Sequence, residues 1–120
     1  MRNRTLIFGL LVVVGGYAAG AGKTILFPPQ LSSTDFVRQW RGAPGFPADW
    51  PPRVQGDKAY AEGYLAAVVD LTQGTKWCSP AQMEPGERDD RVIYAVEKSP
   101  TNTNAAKALL DQYVARFPCQ

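Results

Sequence analysis

The sequence has no histidine and only two cysteines among its 120 residues, and these scarcities remove most enzyme chemistry at once. Histidine is the side chain whose ordinary pKa lets it exchange protons near neutral pH, so the usual general base is missing. Two thiols without histidine make a poor metal site and a poor Cys–His nucleophile. Ser32, Ser33, Ser79 and Ser99 each lie beside turn residues, where caps and loops account for them. Asp89 and Asp90 are adjacent, so on a helix they point about 100° apart and do not share a substrate. The chain reads as a non-enzyme with no catalytic residue, no metal and no cofactor.

An excess of one charge is also lacking. Thirteen Lys and Arg stand against 11 Asp and Glu, interspersed and without a basic stripe. Nucleic acid is therefore not an expected partner, because phosphate contacts need a clustered positive face. No segment alternates polar and apolar residues with the β-branched enrichment of a strand, which leaves an all-α class.

The first distinctive stretch present is "GGYAAGAGKT", Gly15 to Thr24. It ends like a phosphate-binding loop, yet the position that must hold the first glycine of G-x-x-x-x-G-K-[ST] is Tyr17. What precedes it is not a strand but Arg2 and Arg4 followed by the apolar run "TLIFGLLVVVGG". Basic start, apolar run and small residues form the three-part pattern of a secretory signal peptide over 1–21, with cleavage between Ala21 and Gly22. An uncleaved anchor is the competing reading, since the uncharged stretch approaches the roughly 20 residues that span a bilayer; membrane contact is expected only in that case. Either way the expected location is the periplasm. Cleavage removes Arg2 and Arg4, so the mature chain is formally neutral. In an oxidising compartment Cys78 and Cys119 are most simply a disulfide, whereas in the cytosol they would suggest reactive thiols.

The remainder divides by composition. Residues 22–56 form an arm rich in proline, glycine and tryptophan, including "ILFPPQ" and "WRGAPGFPADWPPRVQG", and only "SSTDFVRQW" reads as a short helix, capped by Ser33 or Thr34. Trp40, Phe46 and Trp50 are too apolar for a free linker and are expected to pack on the helical body. Residues 57–120 form the helical domain. Its central helix is expected to start at an Asp57 cap and to end at Gly74, burying Tyr60, Tyr64, Ala67, Val68 and Leu71, with Leu65 and Val69 widening the stripe. A shorter helix follows Pro85 and buries Val92, Ile93 and Val96. A last helix, about Thr103 to Phe117, shows Ala106, Leu109, Leu110, Tyr113, Val114 and Phe117 at helical spacing and stops at Pro118. The expected architecture is a small bundle of three main helices plus a short N-terminal helix, tied by one disulfide.

Four landmarks, "EGYLAAVVD", "WCSP", "VIYAVEKSP" and the closing "RFPC", resemble the Rap/Tai family of small exported immunity proteins that protect bacteria against type VI secretion amidase toxins. The resemblance implies an all-helical domain, a Cys78–Cys119 bridge, homodimers, and a periplasmic protein whose partner is a cognate peptidoglycan-cleaving amidase that it plugs. The chain departs in its proline- and tryptophan-rich arm and in "MEPGERDD", where relatives tend to carry a more apolar helix start. A plug needs a rigid scaffold and an exposed loop, with no chemistry of its own. The loop Ser79 to Asp90 is the candidate, with Trp77, Ser79, Met83, Glu84, Glu87 and Arg88 as contacts. Two other readings remain open: a periplasmic acid-stress chaperone of the HdeA type, and a non-catalytic envelope interaction module.

Overall fold

Helix starts and stops in this chain are written in short polar and glycine signals. A computed structural model describes residues 30–120; the expected signal segment 1–21, its Ala21–Gly22 cleavage point and the first residues of the arm lie outside the described residues. Among the described residues are four α-helices, α1 (Ser33–Arg41), α2 (Pro52–Thr72), α3 (Pro85–Lys98) and α4 (Ala105–Arg116), with a 3₁₀ turn at Pro47–Asp49 and no strand. The molecule is all-α, as expected, and a disulfide joins Cys78 to Cys119.

The cap of α1 is Ser32, one residue before the expected position. Its hydroxyl accepts the Asp35 N–H at 3.1 Å and donates to the Asp35 carboxylate at 3.0 Å, so two residues satisfy the open first turn. The helix ends at Gly42, which has φ of 68°. A side chain there would be strained by the backbone and would also collide with the Trp50 ring, because an added Cβ falls 2.2 Å from it. Phe36 is wholly buried, so α1 is part of the core and not a cover laid over it.

The start of α2 corrects the expected boundary. The helix begins at Pro52, not after Asp57, and the division at 56/57 falls inside it. Proline is suited to the first turn, where its missing N–H costs no helical bond, so "WPPR" opens the helix instead of excluding one. Gly74, with φ of 82°, follows the C-cap Gln73. The buried residues are Ala61, Leu65 and Val68. Tyr60 is 53% exposed, Leu71 81% exposed and Ala67 exposed as well, so three members of the expected stripe lie outside. This helix is apolar or small nearly all round, and the packing partners choose the buried face: Lys58 lies over the Trp40 ring of α1, while the Tyr64 hydroxyl accepts the Ala106 N–H of α4 at 3.1 Å.

In α3, Val92, Ile93 and Val96 are buried as expected. In α4 the Asn104 side chain caps the helix by accepting the Lys107 N–H at 3.0 Å, and Ala105, Leu109 and Tyr113 face inward. Val114 is 41% exposed, and Leu110 is only partly buried. Of the arm aromatics, Trp50 is buried and Trp40 half-buried, but Phe46 is 79% exposed, since the Gly42–Pro47 turn carries it away from the bundle.

The ends of the chain path are tied by polar exchange. At the start of α1, Ser33 donates its backbone N–H to the Thr103 carbonyl at 2.7 Å, and its hydroxyl accepts the Thr103 N–H at 3.1 Å. The Ala105 N–H reaches the Leu31 carbonyl at 2.8 Å.

Candidate partner-binding site

The segment between α2 and α3 runs from the helix end at Thr72 to the first turn at Pro85, and covalent and polar contacts fix it at both sides. The Thr72 hydroxyl donates to the Val68 carbonyl at 2.6 Å and accepts the Trp77 indole N–H at 2.8 Å. Trp77 then lies fully buried against Tyr113, with ring centroids 4.2 Å apart and planes 18° apart. Offset stacking of this kind adds to the area that each ring buries. Next in sequence, the Cys78 N–H donates to the Phe117 carbonyl at 2.8 Å, and its sulfur is bonded to Cys119, with Cα atoms 4.8 Å apart. The bridge spans 41 positions of sequence; closing a loop of that size stabilises by about 4 kcal/mol in the chain-entropy estimate.

A buried charge completes the arrangement. Arg88, in the first half of α3, donates to Asp89 through Nε at 2.8 Å and through a terminal nitrogen at 2.7 Å, and to the Ser79 hydroxyl at 3.1 Å. Its guanidinium lies 5.1 Å from the Trp77 ring centroid and 5.9 Å from that of Tyr113. Tyr113 donates its hydroxyl to Asp89 at 2.7 Å. Burial, reinforced by the neighbouring carboxylate, pushes the Tyr113 phenol well above its ordinary range, so it remains a donor.

The structure sorts the six expected contact residues. Glu84 and Glu87 are exposed, Glu84 as the N-cap residue of α3 and Glu87 paired with Arg91 at 2.6 Å. Ser79 and Met83 are half-buried, Met83 against the core. Trp77 and Arg88 are corrections: both are buried, Trp77 because its indole fills the space beneath the disulfide loop, Arg88 because its position falls on the inward stripe of α3. Neither presents a surface to a partner. Sequence reasoning missed Asp89 and Tyr113 as members of this network. A signal was there, because Arg88, Val92 and Val96 recur every fourth residue and so put a charge on an apolar face.

Two open hollows flank the site. One, of about 440 Å³, is lined by Cys78, Ser79, Pro80, Arg116, Phe117 and Pro118; the other, of about 620 Å³, by Arg41, Glu87, Asp90, Arg91 and Tyr94. The second is a charged patch in which Glu87 and Arg91 are already paired with each other at 2.6 Å. Among the described residues no group of three or more His, Cys, Asp or Glu side chains is placed to hold a metal ion, and no helix is long and apolar enough to cross a membrane. The arrangement is a short connector bridged at one end, with the exposed Glu84 and Glu87 at the start of α3 and a shallow hollow on each side.

The family model of the Rap1a immunity proteins matches residues 32–119, from the cap of α1 to the second cysteine. No curated protein matches the sequence.

Proposed function

The chain belongs to the Rap1a immunity proteins, a family whose members bind a partner toxin, and from that premise we propose that it is a periplasmic inhibitor of a peptidoglycan-cleaving amidase delivered by type VI secretion. In this reading residues 1–21 direct export, the oxidising compartment closes the bridge, and the chain acts as a homodimer with the Ser79–Glu87 end docked at the amidase cleft. The observation that carries the proposal is the extent of the family match: it takes in all four helices and both cysteines. Docking requires no chemistry from the inhibitor, only a surface that does not rearrange on contact.

The test is to express the full chain with export, recover it oxidised, and capture its partner from periplasmic extract at neutral pH. Any captured protein is then assayed for peptidoglycan amidase activity. A single stoichiometric partner whose amidase activity disappears on binding is the expected result. Broad capture that develops only after acidification would overturn the proposal in favour of an acid-stress chaperone.

A further inference from the structure

We propose that Arg88 is a positioning residue that sets the shape of the Ser79–Glu84 loop for the partner, an inference that rests on the reading of this loop as the docking end. The first observation is an apparent mismatch. Arg88 occupies the buried stripe of α3 with Val92 and Val96, and its side chain keeps only 6% of its surface in water. An apolar residue would fill that stripe without the desolvation cost of a guanidinium. What an apolar residue cannot do is reach two directions at once with directed donors.

The guanidinium uses that reach to join the two ends of the loop. Ser79 is the residue immediately after the bridged Cys78, and Arg88 lies in the helix that follows the loop; the Nη1–Oγ bond of 3.1 Å closes the nine positions between them. Within the loop itself the backbone supplies one bond, from the Met83 N–H to the Pro80 carbonyl at 3.3 Å. Its shape is therefore fixed from its ends. One side is held by the disulfide and the Cys78–Phe117 backbone bond. The other runs directly into α3, and Arg88 ties that helix back to Ser79, its guanidinium oriented by the two Asp89 contacts and by the stacked Trp77 and Tyr113 rings beneath it. Asp89 is in turn fixed by the Tyr113 hydroxyl. A loop ordered before contact loses less entropy on binding, so this linkage raises the fraction of encounters that dock.

The test compares hydrogen exchange in the free, oxidised full chain for wild type, Arg88→Met, Arg88→Lys and Ser79→Ala. With Arg88→Met, amides in 79–84 are expected to exchange about ten-fold faster while those of Leu65–Val68 and Leu109–Tyr113 keep their protection. Arg88→Lys falls between, restoring charge but not the forked geometry, and Ser79→Ala, which removes one hydroxyl and leaves the fold intact, shifts the loop in the same direction by a smaller factor. The second reading is association with the amidase that the capture test is expected to identify, whose rate falls several-fold in Arg88→Met and partly recovers in Arg88→Lys. Loop exchange unchanged in both Arg88→Met and Ser79→Ala overturns the proposal, as does a uniform loss of protection in Arg88→Met with none in Ser79→Ala. Faster loop exchange with an unaltered association rate overturns it too. Because the exchange arm needs no partner, an error in the docking reading and an error in the role of Arg88 give different results.

Discussion

The two ends of the bundle are tied by different means. At one end Cys78–Cys119, the Trp77–Tyr113 stack and the Arg88–Asp89–Tyr113 network combine a covalent bond with a charge held out of water. At the other, Ser32, Ser33, Asn102 and Asn104 join α1 to the start of α4 through neutral hydrogen bonds, several of them at the surface. Each bond at the neutral end contributes about 1 kcal/mol net. The bridged end adds a covalent bond, and it is the end that carries the exposed Glu84 and Glu87. The covalent bond and the buried charge both lie where a partner surface is proposed.

That contrast can be broken most strongly at the covalent bond. The Cys78→Ser, Cys119→Ser double variant should lose about 4 kcal/mol; for a domain of this size that lowers the midpoint by roughly 15–30 °C, read by thermal denaturation in circular dichroism. Trp77→Ala comes next or equals it, at about 3–5 kcal/mol in chemical denaturation, since it empties the space beneath the loop and strands Tyr113 without its stacking partner. At the neutral end, Ser33→Ala should cost about 1–3 kcal/mol because the Thr103 N–H loses its acceptor, and the loss should appear with no change in exchange at 79–84. Removing the exposed Glu87–Arg91 pair by Arg91→Ala should change stability by less than about 1 kcal/mol, within the range measured for surface pairs.

Acid and alkali should also divide the two ends. Glu97, whose carboxyl is held below its usual value of 4.5 by the Arg41 guanidinium, and Asp35, lowered from 3.8 by Arg38, favour folding above those ordinary values. Their contribution is lost as pH falls through the lowered folded values, and because both are exposed it is small and weakened further by salt. Tyr113 has the opposite sign. Its phenol is raised from 10.0 by burial and by Asp89, so its contribution is full below pH 10 and is lost as pH climbs through the folded value. Urea midpoints should therefore fall above pH 10, and Tyr113→Phe should flatten that decline.

Much of the fold was legible in the sequence because its signals are local. The 3.6-residue recurrence in α3 and α4 and Pro85 and Gly74 at helix ends depend on nearby residues, and the cysteine pairing, though it spans 41 positions, followed from there being only two cysteines. The failures were tertiary. In α2 nearly every face is small or apolar, so the sequence does not say which one α1 and α4 will cover, and Tyr60, Ala67 and Leu71 were assigned inward while they lie outside. "WPPR" was read as a barrier to helix although proline in a first turn favours one. The site was half legible. The loop and its acidic start followed from the turn residues, whereas Arg88 was assigned to the surface on its charge, when its four-residue spacing from Val92 and Val96 pointed inward. Tyr113 looked like a core aromatic, and its hydroxyl contact with Asp89 spans 24 positions that no local pattern reports.

The most direct test of the account is a hydrogen-exchange footprint of the oxidised full chain alone and bound to the proposed amidase partner. The account predicts new protection confined to Ser79–Glu87 and the adjoining Arg116–Pro118 rim of the hollow. Protection centred instead on the outer face of α2, at Tyr60, Gly63 and Leu71, with none in the loop, would contradict it.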